Sequence, residues 1–285
     1  MRKVLIVGAG ELGRALDFVL SQNSNNQIWI WDRKRDRSRL GSKGVWTPLD
    51  GTVTRFEPDF VFLAIPTQAI DEVVATILKV RREQFCLVLL SKGLDRRGRT
   101  SLEIVQDRWL GPTALISGPM IAEELNRGLE AKALVAGNLG PEIVNLVSLF
   151  SDTNLSLSQT DDLIGLSWVG PLKNIYAIGL GITAAQEKGR NYQGWFVAQA
   201  VKEMAQLVKF LGGKRKTAYS LAGLGDLIAT GFSPDSSNWQ FGFALGKGEK
   251  PDRICEGVMV ASGLKTRLED KLANWPLLRE IVNML

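Results

Sequence analysis

The sequence contains no histidine, and among its 285 residues there are only two cysteines and three tyrosines. Histidine is the commonest general base and metal ligand in proteins, so acid–base chemistry here must use Lys, Asp, Glu or Tyr. A zinc site of the alcohol dehydrogenase kind cannot be assembled, and we expect no metal site. No tyrosine has a lysine four residues on, which excludes the Tyr-x-x-x-Lys arrangement of short-chain dehydrogenases.

Other scarcities limit the location and the partners of the protein. Two cysteines, Cys86 and Cys255, cannot form a disulfide framework, so a reducing cytoplasm is expected. The most apolar window, 163–182, carries Lys173 near its middle, which favours a buried helix with a functional lysine over a membrane span. The net charge of +5 is concentrated in the run Arg33–Arg37, and a small anionic ligand explains that run without nucleic acid.

The periodicity changes near Thr160 and predicts two domains, 1–160 and 161–285. Short apolar runs alternate with amphipathic segments in the first part, which predicts a Rossmann-type, doubly wound, mostly parallel sheet. Only helical patterns follow, so the chain is α/β with an all-α C-terminal domain. Strands are predicted at Val4–Val7, Ile28–Trp31, Phe60–Ile65, Cys86–Leu90, Ala114–Ile116 and Leu134–Ala136. Helices of the second domain are predicted at Asp162–Thr183, Gly194–Leu211, Lys214–Gly223, Trp239–Leu245, Val258–Leu268 and Trp275–Met284.

A glycine-rich loop follows the first predicted strand and opens a helix. Its residues, which we predict to bind a dinucleotide, are Gly8, Gly10, Glu11, Leu12 and Gly13. Glycines at this spacing allow a tight turn and close approach to a pyrophosphate at the helix N-terminus. A glycine-rich turn without a ligand is the alternative.

The end of the second predicted strand bears on which nicotinamide cofactor is used. Asp32 suits the ribose 2′-hydroxyl of NAD(H), whereas Arg33 and Lys34 suit the 2′-phosphate of NADP(H). The two cations favour NADP(H), with NAD(H) kept open. A solvated charged loop is the alternative.

Two lysines are candidates for the chemistry. Lys173 has apolar neighbours, so burial is expected to lower its pKa towards the working pH, with Asp226 as its natural carboxylate partner. Lys92 follows a predicted sheet strand, where ligands of open α/β sheets bind. The alternatives are a Lys173 that extends from a surface helix and a Lys92 in a solvated loop.

Several motifs occur in the order typical of one family. They are Phe62–Ala69, Ser91–Leu94, Ser117–Pro119 with Ala122–Glu124, Leu172–Asn174, Leu221–Leu227, Asn238 with Phe241–Gly242, and Glu256–Val258. On these residues the chain resembles bacterial NAD(P)-dependent glycerol-3-phosphate dehydrogenases of the 6-phosphogluconate-dehydrogenase-like superfamily. The resemblance implies interconversion of dihydroxyacetone phosphate and sn-glycerol 3-phosphate for phospholipid synthesis, in a cytoplasmic homodimer.

The resemblance also implies roles for single residues. Lys173 is implied as the proton donor and acceptor, with Lys92, Asp226 and Thr230 at the reacting end. Lys92, Ala122 and Glu256 are implied as cofactor contacts. The implied substrate-binding residues are Lys92, Gly118, Met120, Lys173, Asn174, Asp226, Ser236, Ser237 and Asn238.

Three positions depart from the family pattern. Ser237 stands where the family has an arginine that grips the substrate phosphate, Met120 replaces a hydroxyl residue, and Glu11-Leu12 replaces a serine and an aromatic. One lost charge-assisted hydrogen bond weakens binding by roughly ten- to a hundred-fold. Two alternatives therefore stay open: a related dehydrogenase for another 3-hydroxy or keto substrate, and a non-catalytic NAD(P)-binding relative.

Overall fold

The computed structural model describes residues 1–34, 44–45, 47–80, 85–138, 140 and 142–285. Contacts divide the chain into two compact units. The sheet unit comprises Met1–Ser91 and Leu102–Leu163, and the helical unit comprises Lys92–Ser101 and Ile164–Leu285. The predicted domains, 1–160 and 161–285, remain a proposal beside this grouping.

The sheet unit is built on seven strands within the described residues. They are β1 (Arg2–Val7), β2 (Asn26–Trp31), β3 (Phe60–Leu63), β4 (Cys86–Leu89), β5 (Thr113–Ser117), β6 (Ala131–Gly137) and β7 (Leu155–Gln159). Their order is β2-β1-β3-β4-β5-β6-β7, and every pair is parallel except β5 with β6. The predicted Rossmann-type, mostly parallel sheet is thus confirmed.

The central strands are apolar on both faces, which is typical of a parallel sheet covered on both sides. Val4 and Ile6 of β1 pack in one core cluster with Phe62 of β3 and Val88 of β4. Leu5, the residue between them, is also fully buried. The helices of this unit are α1 (Glu11–Leu20), α2 (Leu49–Phe56), α3 (Ile70–Ile77), α4 (Ser101–Gln106, whose first residue groups with the helical unit), α5 (Ala122–Asn126) and α6 (Glu142–Ser148).

The turn between β1 and α1 depends on glycine at two positions. Gly8 has φ +108°, and a Cβ there would lie 2.3 Å from the carbonyl oxygen of Ala64. A Cβ on Gly13 would lie 1.9 Å from the carbonyl oxygen of Gly8. The glycine pattern therefore permits the close packing of strand, turn and helix that it predicts.

The helical unit is built around one long buried helix, α7 (Leu163–Ala185). The other α-helices are α8 (Arg190–Phe210), α9 (Asp226–Gly231), α10 (Ser237–Gly246), α11 (Glu256–Leu268) and α12 (Pro276–Met284). Short 3₁₀ segments lie at Arg215–Tyr219 and Glu269–Asn274, and one π-helical turn lies at Leu221–Gly225. Among the described residues, no helix is both long and apolar enough to cross a membrane.

Helix α7 packs against α10 through glycine. A Cβ on Gly181 would lie 2.1 Å from the carbonyl oxygen of Trp239, and one on Gly242 would lie 2.0 Å from the carbonyl oxygen of Ile178. Both contacts are with backbone atoms, which cannot turn aside as a flexible side chain can. Glycine thus allows the two helices to approach at backbone distance.

The structure corrects two predictions. Strand β7 was not predicted, because its sequence LSLSQ alternates weakly and serine has little β-propensity. The helix predicted over Lys214–Gly223 is wrong, since the backbone is extended at Ser220 between a 3₁₀ and a π segment. The Ser220 hydroxyl accepts a hydrogen bond from the backbone N–H of Ala222, which starts the second segment anew.

We predict opposite stability effects for two helical Gly→Ala substitutions. Gly242→Ala places a methyl group against the Ile178 carbonyl and should lower the free energy of unfolding by about 1–3 kcal/mol or more. Gly194→Ala is the matched control on α8, where a Cβ meets no atom within 4 Å. It should raise stability by up to about 1 kcal/mol. Urea unfolding measures both, and equal effects would contradict the glycine contact between α7 and α10.

Candidate active site

Two lysines share one buried carboxylate in the helical unit. Lys92 Nζ lies 2.6 Å from Asp226 Oδ2, and Lys173 Nζ lies 3.1 Å from Asp226 Oδ1. Lys173 Nζ also donates to Thr230 Oγ1 at 2.7 Å, and that hydroxyl donates to Asp226 Oδ1 at 3.1 Å. Lys173 is 5% exposed and Asp226 is 2% exposed, so these ions interact with little water between them.

The positions of these groups follow from their helices. Lys173 lies in the middle of α7, where almost every residue is buried, so its stem has only protein around it. Asp226 and Thr230 are four residues apart on α9 and therefore share one face of that helix. A π-helical turn ends at Gly225 immediately before Asp226, a feature often found at functional sites.

Burial and charge act in opposite directions on the pKa values of this cluster. Burial lowers the pKa of Lys173 below its ordinary 10.5, the Asp226 carboxylate opposes that shift, and the Lys92 ammonium adds to it. Burial alone would raise the pKa of Asp226, but the ammonium groups of Lys173 and Lys92 hold it below its ordinary 3.8. Lys173 is thus a cation that releases its proton more readily than a lysine in water.

A chain of amide hydrogen bonds lies beside the cluster. Asn174 donates to the Lys92 carbonyl oxygen at 3.1 Å and to Glu256 Oε2 at 3.0 Å. Its carbonyl oxygen accepts from Asn238 Nδ2 at 3.1 Å, and Asn238 Oδ1 accepts from the backbone N–H of Gly257 at 2.9 Å. The chain ties α7, α10 and the start of α11 to the segment that carries Lys92.

The sheet unit holds a cavity of about 580 Å³ beside the glycine turn. Gly8 and Gly10 line it together with Trp31, Asp32 and Thr76. A Cβ on Gly10 would meet no atom within 4 Å, so the backbone there is open to a ligand. The volume, the bare glycine backbone and the start of α1 suit an adenine dinucleotide.

Metal and thiol chemistry find little support in these units. The described residues contain no group of three or more Cys, Asp or Glu side chains that could hold a metal ion. Burial raises the pKa of Cys86 to about 12 and also raises that of Cys255, so neither thiol is a nucleophile near neutral pH. The lysine–aspartate cluster remains the best-formed centre for proton transfer.

Comparison with known proteins identifies the family of this chain. Residues 50–139 match the N-terminal model, and residues 162–285 the C-terminal model, of NAD-dependent glycerol-3-phosphate dehydrogenase. A glycerol-3-phosphate dehydrogenase (NAD(P)+) of Bacillus velezensis is 31% identical over 291 residues, covering 93% of this chain and 83% of the relative. The chain belongs to the NAD-dependent glycerol-3-phosphate dehydrogenase family.

Two further comparisons agree with this membership. A glycerol-3-phosphate dehydrogenase (NAD(P)+) of Deinococcus radiodurans is 30% identical over 276 residues, covering 92% of this chain and 82% of the relative. The crystal structure of a glycerol-3-phosphate dehydrogenase from Coxiella burnetii has a TM-score of 0.91 at 24% identity, covering 100% of this chain and 94% of that one. At that identity the structural match shows the fold alone.

The structure brings together the residues that the sequence places at the reacting end. Lys92, Lys173, Asp226 and Thr230 are in direct contact. Lys173 is not the solvent-reaching lysine of a surface helix, and Lys92 is not in a solvated loop, because both ammonium groups bind the buried Asp226. The proposed catalytic roles of these residues stay predictions.

Other predicted site residues of the helical unit lie beside this cluster or on a helix end. Asn174, Asn238 and Glu256 belong to the amide chain, which uses both N–H groups of Asn174. Ser236 caps α10 by accepting a hydrogen bond from the backbone N–H of Trp239 at 3.4 Å. Ser237, the first residue of α10, is exposed.

The remaining predicted residues belong to the sheet unit. Exposed Glu11 and half-buried Leu12 begin α1, and Ala122 begins α5. Gly118 has φ +151° at the end of β5, and Met120 packs into the core cluster of the unit. Arg33 and Lys34 line the cavity with exposed side chains, whereas Arg35–Arg37 lie outside the described residues.

Sequence reasoning missed the part played by Gly257 and by two acidic residues of the cavity. A Cβ on Gly257 would lie 2.9 Å from Asn238 Oδ1 and 3.0 Å from the Asn174 carbonyl oxygen, so only glycine fits the amide chain. The motif Glu-Gly-Val carried this signal. Asp50 and Glu72 line the cavity, and no spacing in the sequence indicates it.

We predict that Asp226→Ala strongly destabilises the protein. Two buried ammonium groups would lose their shared carboxylate, which should lower the free energy of unfolding by about 3–5 kcal/mol near neutral pH. The folded-state pKa of Asp226 is lowered, so its contribution is complete above the ordinary 3.8 and is lost as the pH falls through the lowered value. Denaturant unfolding at several pH values measures this.

The control is Asp235→Ala, which removes an exposed carboxylate from the loop before α10. It should change stability by no more than about 0.5 kcal/mol. Equal stabilities of the two variants at neutral pH would show that Asp226 does not hold the two lysines.

Proposed function

We propose that this protein interconverts dihydroxyacetone phosphate and sn-glycerol 3-phosphate with a nicotinamide cofactor. The observation that carries the proposal is the buried Lys173 ammonium, held by Asp226 and Thr230 in a chain of this family. When bound, the cofactor supplies or accepts the hydride at the carbon that bears the reacting oxygen. The reacting oxygen gains or loses its proton at Lys173 Nζ.

The cluster can carry out the proton half of this reaction. A lysine ammonium has three N–H donors, and Asp226 and Thr230 accept two of them. The third can donate to the carbonyl oxygen of a bound ketone and transfer its proton as negative charge develops there. In the reverse direction the neutral amine accepts the proton of the alcohol, and the lowered pKa of Lys173 makes that form accessible.

The substrate phosphate needs positive charge or N–H donors. Lys92, part-buried beside Asp226, supplies an ammonium group within the cluster. Ser236 and Ser237 supply hydroxyl groups at the start of α10 instead of the guanidinium that the family motif contains. We expect weaker phosphate binding than an arginine would give, with turnover retained through Lys173.

The wider setting of the enzyme forms part of the proposal. We propose that it acts in the cytoplasm as a homodimer and supplies glycerol 3-phosphate for phospholipid synthesis. Two buried cysteines of raised pKa suit a reducing compartment. The family membership favours this activity over another keto substrate or a non-catalytic binding role.

We predict that Lys173→Met abolishes proton transfer without removing the cofactor site. Methionine keeps much of the side-chain volume but has no proton to give, so kcat should fall by about 10²–10⁴-fold. Reduced-cofactor oxidation with dihydroxyacetone phosphate measures the rate, and nucleotide fluorescence measures cofactor binding.

Lys202→Met, which removes an exposed lysine from α8, is the matched control and should leave both quantities unchanged. Near-normal kcat in Lys173→Met would refute the role of Lys173. Cofactor binding by wild type with no oxidation by any ketone would favour the non-catalytic alternative. Oxidation with a different ketone only would favour the related dehydrogenase.

The pH dependence gives a second test. Reduction needs protonated Lys173, so kcat/KM for dihydroxyacetone phosphate should fall as the pH rises through a pKa below the ordinary 10.5. Asp226 raises the pKa of Lys173, so Asp226→Asn should move the falling limb to lower pH. For oxidation of glycerol 3-phosphate, the rising limb should move the same way. Asp235→Asn is the exposed control, and a limb that Asp226→Asn moves to higher pH would contradict this coupling.

A further inference from the structure

We propose that Asp32 makes this enzyme prefer NADH, whose adenosine ribose carries a free 2′-hydroxyl, over NADPH, which carries a 2′-phosphate there. The inference rests on the proposed function in taking a nicotinamide dinucleotide as the ligand of the cavity. It reverses the preference that Arg33 and Lys34 indicate in the sequence.

The first support is the way the Asp32 carboxylate is held. Asp32 lies immediately after β2 and lines the cavity together with Gly8 and Gly10. Its Oδ2 accepts a hydrogen bond from the backbone N–H of Ala9, within the glycine turn, at 2.9 Å. Its Oδ1 accepts from the backbone N–H of Lys34 at 2.8 Å. The carboxylate is thus fixed in one orientation at the glycine turn.

The second support is the hydrogen-bonding capacity that remains. An ionised carboxylate has about four acceptor sites and no donor. Two backbone N–H groups use part of that capacity, so the oxygens can still accept from ribose hydroxyl groups. A phosphate group near pH 7 has only acceptors to offer and carries negative charge. It therefore gains no hydrogen bond from Asp32 and is repelled by it.

The third support is the charge of the cavity wall. Its described residues include three carboxylates, Asp32, Asp50 and Glu72, against two cations, Arg33 and Lys34. Both cations are exposed, and an ion pair of an exposed side chain contributes only about 0–1 kcal/mol. The fixed carboxylate therefore outweighs the mobile cations for a group placed against the end of β2.

The test is a direct titration of the whole protein with NADH and with NADPH, without substrate, by nucleotide fluorescence. NADH should bind at least about tenfold more tightly, since a hydrogen bond to a charged group contributes about 1.5–3 kcal/mol and 1.4 kcal/mol is tenfold. Asp32→Asn, which removes the charge and keeps the size, should reduce that ratio towards one. Equal or tighter binding of NADPH by wild type overturns the proposal.

Asp50→Asn is the matched control, because it removes another carboxylate of the same wall. It should leave most of the NADH preference in place, and a loss equal to that of Asp32→Asn overturns the assignment to Asp32. The wild-type ratio decides the question even if Asp32→Asn fails to fold. Assay of dihydroxyacetone phosphate reduction separates the two proposals: tight NADH binding without turnover contradicts only the function, and turnover with an NADPH preference contradicts only the role of Asp32.

Discussion

Asp226 is a buried carboxylate that holds the ammonium groups of Lys92 and Lys173, and the arrangement of the helical unit supports that contact. Taking one carboxylate and two ammonium ions out of water is costly, and the cost is offset only where the ions meet at hydrogen-bond distance. The 2.6 Å and 3.1 Å contacts satisfy that condition. The cluster leaves an ammonium group whose proton is held by opposing effects, burial against the neighbouring carboxylate.

Close packing keeps these ions in place. Glycines let α7 and α10 approach at backbone distance, and this brings Asn174 of α7 within reach of Asn238 of α10. Asn174 then holds the carbonyl oxygen of Lys92, the residue whose side chain reaches Asp226. The same polar chain that fixes the backbone thus fixes the geometry of the ion cluster. A change of one methyl group at Gly257 would meet both asparagines.

Much of the fold could be predicted from sequence, because buried parallel strands and the glycine turn after β1 have strong local patterns. The pairing of Lys173 with Asp226 could also be anticipated, since an apolar helix with one lysine needs a buried counter-ion. The antiparallel pairing of β6, the break at Ser220 and the amide chain through Gly257 depend on neighbours distant in sequence. The acidic side chains Asp50 and Glu72 join Asp32 only through the folded sheet unit. For that reason the sequence pattern favoured NADP(H) and the cavity favours NADH.

The most direct test of the account is the titration of Lys173 itself. In protein labelled at the lysine side chain, the Lys173 resonance can be assigned by comparison with Lys173→Met and followed over pH by NMR. The account predicts a midpoint below the ordinary 10.5 and a change of the signal when dihydroxyacetone phosphate is added. A midpoint at or above 10.5, or a signal indifferent to dihydroxyacetone phosphate, would contradict the claim that a buried Lys173 transfers the proton.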